Sequence, residues 1–398
     1  MKKHYYLGLN ARRRGGVRHL LIHGRKSDYT ALSRALALKY GGTAVLTKNG
    51  RTGLFMALKV YVKRGSGVII TGFTCYAVYE AVRLAGCVPV YADIDKKTLN
   101  FTPETLENAI KRAGKLKISA IIIQNTLGNA TDIEAVEAFA HKHQLIIIED
   151  LAHSVGIRYK DGREAGTVGA AAVLSFGKDK SIDTISGGAV VFRDAANNRR
   201  VKGAPSKIPR DTRKEADFAQ ILTDITPKKR PKCSDYLRER LYPMLAAWVR
   251  GLTHVHLGGF LMRILLKTRL VQKSADNRLD FARRMPYFEA RLALEQMRAM
   301  GDAPQEALRE FYLVRDRGEV LEKLKQAGYH FAGFWYEKPI SPERYYHLTG
   351  YDEATCPVAT EVAKQIINFP KYYTETELAP ARKIIQPYLV KSEDTHEK

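Results

Sequence analysis

"ISAIIIQNTLGNATDIEAVEAFAHKHQLIIIED", residues 118–150, decides the fold. Its two ends, ISAIIIQN (118–125) and LIIIED (145–150), are nearly unbroken in isoleucine, with none of the polar alternation of a half-exposed strand. Such runs belong in a sheet covered on both faces, which is the habit of parallel strands. Between them DIEAVEAFAHKHQ has helical spacing, so the stretch reads strand, helix, strand.

Working outward, the same texture recurs in VIITG (68–72), VPVYADI (88–94), AAAVLSF (170–176) and AVVFRD (189–194). Another helix-like stretch, AVYEAVRLAG, closes on Gly86. The fold class is therefore α/β, a mostly parallel, doubly wound sheet sandwiched by helices, and its ligand is expected outside the carboxyl ends of the strands. We divide the chain into an N-terminal arm (1–42), a large α/β domain (43–200), a basic and apolar helical insertion (201–275) and a smaller C-terminal α+β domain (276–398).

The 398 residues suffice for this division, and 45% hydrophobic with 27% charged residues is ordinary globular composition. Cys75, Cys87, Cys233 and Cys356 form no CxxC pair, which argues for reduced thiols and against a zinc or other metal site. No long apolar run follows the basic start MKKHYYLGLNARRRGG, so the protein is expected in the cytoplasm. Lysine and arginine exceed aspartate and glutamate by 65 − 42 = 23, an excess that attracts polyanions. The absence of zinc-finger spacing, RRM-like aromatics and helix-turn-helix signals argues against nucleic acid as the partner.

Three loops follow the expected strands or open helices. In KNGRTGLFMAL, Asn49-Gly50-Arg51-Thr52 feeds an apolar helix, whose free N–H groups suit a phosphate, although NG is also a plain turn. In IIIEDLAHS, Asp150 ends a fully apolar strand, where a carboxylate must meet a cation or cap the next segment. In LSFGKDKSIDTISGGAVVF (174–192), Lys178 and Lys180 stand on a strand-end loop where a lysine can form a Schiff base. A lysine, an acid and a phosphate cradle are together what pyridoxal phosphate chemistry requires.

From residue 43 to 194, and again from about 285 onward, the chain resembles the DegT/DnrJ/StrS family of sugar aminotransferases. The resemblance rests on NGRTGL, GFTCYAVYEAVRLAGCVPVYADID, IIIEDLAHSVG, SFGKDK…SGGAVVF and CPVATEVAKQIINFP, in that order. It implies the aspartate-aminotransferase fold and a pyridoxal 5'-phosphate cofactor. It places Lys180, rather than Lys178, at the covalent attachment point, Asp150 at the pyridine nitrogen and His153 near the phenolic oxygen. Ser175, Gly50, Arg51 and Thr52 fall on the phosphate side. The family's ring-stacking aromatic falls at or beside Cys75, and Tyr76 is the expected substitute. The implied reaction moves an amino group, from glutamate as the expected donor, to a keto-sugar carried on a nucleotide or lipid, in surface polysaccharide or secondary-metabolite synthesis. A homodimer is implied as well.

Two rival readings stand beside it. One is a sugar dehydratase of the same family, in which histidine replaces the lysine; Lys180 argues against it. The other is a silent relative acting as a regulator. The stretch 237–273, apolar with a cation every few residues, is interrupted by Arg250, His254 and His256 before a spanning length accumulates. It either packs over the active site or a partner subunit, or lies peripherally on anionic lipid at the inner membrane surface.

Overall fold

The structure, a computed structural model, describes residues 24–177, 180–184, 187–193, 285, 287–329, 335–371 and 373–390. The expected insertion at 201–275, with its stretch 237–273, lies outside them, as do Lys178 and Cys233. No described helix is long and apolar enough to cross a membrane.

Eight strands build the first half: β1 (Thr43–Thr47), β2 (Gly67–Thr71), β3 (Thr74–Cys75), β4 (Val88–Ala92), β5 (Ile118–Ile123), β6 (Ile146–Asp150), β7 (Ala171–Ser175) and β8 (Gly188–Phe192). Seven form one sheet in the order β1-β8-β7-β6-β5-β2-β4. From β7 to β4 every pairing is parallel, whereas β8 runs antiparallel to both β7 and β1. The sheet is thus mostly parallel, as its apolar runs require. Burial on both faces is visible residue by residue. Val68, Ile70 and Ile122 point into one core with the helices Gly50–Tyr61 and Tyr76–Leu84. Ile69, Ile121 and Ile123 point into the other with Leu106, Val136 and Phe139.

Two segments pack elsewhere than their place in the chain suggests. Within the N-terminal arm, the helix Lys26–Tyr40 is part of the second core, burying Leu32, Leu36 and Tyr40. The helix Tyr287–Met300 lies in that core too, through Ala290, Ala293 and Leu294, although it opens the C-terminal segment. Beyond it, β9 (Arg309–Leu313) pairs antiparallel with β11 (Ile366–Pro370), and a separate small core gathers Val320, Leu324, Phe369 and Leu378.

This smaller unit is tied to the sheet at two points. The short strand β10 (Ile340–Ser341) pairs in parallel with β3. Asp93, just past β4, accepts hydrogen bonds from the Val358 and Ala359 amides, 3.0 and 2.8 Å, at the start of the helix Pro357–Gln365. A carboxylate at a helix start meets unpaired N–H groups and the positive dipole end together.

Candidate active site

Strands β6 and β7 carry their functional residues at their last positions, and the chain around them explains why those side chains face one cavity. Glu149, completely buried, accepts hydrogen bonds from the Gly166, Val168 and Gly169 amides and the Tyr159 hydroxyl, all between 2.6 and 2.9 Å. Those bonds fix the end of β6. With period-two alternation, the next residue, Asp150, faces the opposite side.

There a cavity of about 160 Å³ is lined by Gly50, Arg51, Asp150, His153, Ser175 and Lys180, with Cys75, Gln124, Ala152 and Tyr336 among its other walls. A larger hollow, about 560 Å³, lies between the helices Lys26–Tyr40 and Tyr287–Met300 and contains none of the expected chemistry. The smaller cavity, at the carboxyl ends of the parallel strands, is where a doubly wound sheet binds its ligand.

The expected phosphate side is a close approach of two backbones. Asn49 caps the helix Gly50–Tyr61, its side chain accepting from the Thr52 amide at 2.9 Å. A Cβ on Gly50 would stand 2.8 Å from Cβ of Ser175, and one on Gly188 would stand 2.6 Å from the Gly50 nitrogen. Only glycine at both places lets the helix start, the end of β7 and the start of β8 meet. Arg51, in the first helical turn, pairs with Glu80 at 2.9 Å. Burial raises the Glu80 carboxyl above its usual range, and Arg51 pulls it back down.

Two expected residues stand apart from this wall. Thr52 is completely buried beneath the turn, its hydroxyl donating to the same Asn49 oxygen at 3.0 Å. Tyr76 is the first residue of the helix Tyr76–Leu84 and stacks on Tyr345, ring centroids 4.7 Å apart. Cys75, the cap of that helix, is the residue that lines the cavity. A helix start turns successive side chains in different directions, so one step in sequence exchanges the cavity for the outer face.

Asp150 is buried, accepting from the Ala152 amide at 3.0 Å. Burial raises its carboxyl above the usual range, while the Ala152 amide and the charge of Lys180 oppose the rise. An acid so placed is poised to receive a cation.

His153 is also buried, and its Nδ1 accepts from the Leu127 amide at 3.2 Å. That amide is aimed by a tight turn after β5, where Asn125 and Leu127 hold φ of 50° and 56°. Burial first, then Lys180 and Arg309, push the imidazole well below its ordinary value. The ring is therefore neutral with its proton on Nε2, facing the Tyr336 hydroxyl at 3.4 Å.

Burying a neutral histidine makes stability depend on pH with a definite sign. The unfolded chain takes up a proton near the ordinary value of 6.5, and the native state does so only at much lower pH. This contribution is complete above pH 6.5 and is lost as pH falls toward the depressed native value, by about 1.4 kcal/mol per pH unit. Urea titrations at several pH values are expected to show that slope in the wild type beyond that of His153→Gln. Parallel curves for the two proteins would show that His153 titrates normally.

Gln124, Trp335, Tyr336 and Arg309 are the residues that sequence reasoning missed. Trp335 stacks on His153, ring centroids 4.9 Å apart, and Arg309, buried on β9, lies 5.2 Å from the same indole. Gln124, the polar residue ending the run ISAIIIQN, carried a readable signal. The others come from the smaller unit and carried none.

Residues 21–207 match the model of the DegT/DnrJ/EryC1/StrS aminotransferase family. Among curated relatives, the L-glutamine:2-deoxy-scyllo-inosose aminotransferase of Micromonospora echinospora is 36% identical over 162 residues, 40% of this chain and 37% of that protein. The matched stretch thus spans well under half of that relative's length. Among solved structures, a DegT/DnrJ/EryC1/StrS aminotransferase from Brucella abortus covers 97% of this chain and 100% of its own, with 18% identity and a TM-score of 0.67. A putative sugar aminotransferase from Streptococcus pneumoniae in its PLP form covers 96% of each chain, with 16% identity and a TM-score of 0.59. The fold of the described residues is the one these structures share.

Proposed function

We propose that this protein is a pyridoxal-phosphate-dependent aminotransferase that moves an amino group onto the keto carbon of a sugar or related polyol ring. The observation that carries the reading is the convergence of Lys180, Asp150 and Ser175 with the helix start at Gly50 on one cavity, within a fold and family segment of such enzymes.

The cavity fits the cofactor by its donor set: an acid raised by burial, a lysine, and a glycine-built helix start beside a hydroxyl. The Gly50 and Arg51 amides, Ser175 and the guanidinium of Arg51 would hold the phosphate. Asp150 would hold a proton on the ring nitrogen, a cation bringing its carboxyl back into the ionised range. His153, neutral, offers its Nε2–H and shares it with Tyr336. Pyridoxal phosphate, when bound, supplies an aldehyde for the amino group and a ring that accepts electrons from the substrate carbon. Lys180 would anchor the cofactor through its ε-nitrogen, and when that nitrogen is free it would serve as the group that takes up and returns a proton.

Glutamate or glutamine serves as donor in this reading, and a keto-sugar on a nucleotide or lipid as acceptor. The lysine at position 180 favours transfer over the dehydratase reading, which the family builds on a histidine. The protein loaded with cofactor is expected to be yellow, to lose its colour on borohydride, and to yield one modified peptide containing Lys180. The same preparation, offered keto-sugar nucleotides with glutamate or glutamine, is expected to release aminated sugar. Label on Lys178, or colour without any amine transfer across the panel, would overturn the assignment.

A further inference from the structure

The ε-nitrogen of Lys180 lies 4.3 Å from the ring centroid of Trp335. Lys180 belongs to the loop after β7, and Trp335 to the segment that leads into β10, so the contact joins two distant parts of the chain. The indole itself is held in place. It stacks on His153 at an interplanar angle of 25°, and the guanidinium of Arg309, bonded to the Asn368 side chain, lies 5.2 Å away. A cation within about 6 Å of an indole centroid is attracted to the ring, more strongly where water is scarce.

We propose that Trp335 is a positioning residue for Lys180: its indole is the seat on which the ε-ammonium rests whenever the lysine carries no covalent partner. The inference rests on the assignment of Lys180 as the attachment lysine. A lysine side chain has four rotatable bonds and, left to itself, samples solvent as readily as the cavity. Seated on a ring stacked against His153, the nitrogen stays at the cavity wall. Once it has released a proton to solvent, it is placed to capture an incoming aldehyde with loss of water, and to return after the amino donor has displaced it. His153, immediately behind the indole, is held neutral by burial, so no second full charge from that ring competes with the ammonium.

The test uses cofactor-free full-length protein and two variants, Trp335→Leu and Trp335→Phe. Pyridoxal phosphate is mixed in, and the growth of visible absorbance is followed by stopped flow. Removing the ring face in Trp335→Leu is expected to slow that growth roughly tenfold, and Trp335→Phe, which keeps a smaller ring, is expected to recover most of the rate. Pyridoxine phosphate, which lacks the aldehyde, reads the cavity without the lysine, and its affinity is expected to be equal in all three proteins. Wild-type rates in Trp335→Leu, or equal slowing in the leucine and phenylalanine variants, would overturn the proposal. So would a matching loss of pyridoxine phosphate affinity, which would make Trp335 a plain wall of the cavity. A wild type that binds pyridoxine phosphate and never becomes coloured would instead remove the assignment of Lys180 itself.

Discussion

Lys180→Ala protein is expected to fold, bind pyridoxal phosphate without fixing it under borohydride, and transfer amino groups about 10⁴-fold more slowly than wild type. The fold survives because Lys180 stands on a loop beyond the end of β7, outside both cores of the sheet. The rate is expected to fall because, in the proposed function, one side chain would perform two tasks, anchoring the cofactor and moving the proton. Small alkylamines added to the variant are expected to restore part of the rate, since a free amine can replace the base though not the anchor. Single-turnover measurements with pre-loaded protein separate the two tasks. More than a few per cent of wild-type turnover without added amine would mean that another group is the base.

Asp150→Asn is expected to lower turnover on the order of 10³-fold while leaving the link to Lys180 intact. Asparagine has nearly the same shape and can still accept from the Ala152 amide, so the cavity keeps its form. What it loses is the charge that, in the proposed function, would hold a proton on the ring nitrogen. A second readout moves in the opposite direction. Because burial raises the Asp150 carboxyl in the cofactor-free protein, its contribution to stability is complete below the ordinary value of 3.8 and is lost as pH rises through the raised one. The cofactor-free variant is therefore expected to be more stable than wild type at neutral and alkaline pH, as read by urea unfolding. Near-normal turnover, or lower stability in that range, would leave Asp150 as a helix-end cap and nothing more.

The sheet was legible in the sequence because burial on both faces writes itself as unbroken apolar runs. What those runs do not encode is direction. AVVFRD looks like its neighbours and forms β8, which runs antiparallel to β7, because a central strand is buried alike whichever way it runs. The short run TAVLT was not singled out, and forms β1 by pairing with β8 at the sheet edge. In the cavity, Asp150, Gly50 and Arg51 stood out by their places at a strand end or helix start, whereas Lys180, His153 and Ser175 were implied by the family resemblance; all six line it. Tyr76 was displaced from its expected place by the onset of a helix at that residue, which hands the cavity to Cys75. Trp335, Tyr336 and Arg309 were invisible because they lie far along the chain from His153, and no local pattern announces such a meeting.

The pairing of β1 with β8 also governs when the protein can become itself. Thr43 is matched to Phe192, and Asn49 bridges Gly187, so the first strand has no mate until almost 150 further residues have been made. Closing so long a loop costs entropy before any contact repays it, and non-local pairings of this kind slow folding. On the ribosome, at some 5–20 residues per second, the edge that shapes the phosphate cradle waits on the order of ten seconds for its partner. Tyr336, which completes the cavity wall, arrives later still. A nascent chain therefore carries this first strand unpaired, and the cavity incomplete, until most of the chain has been made.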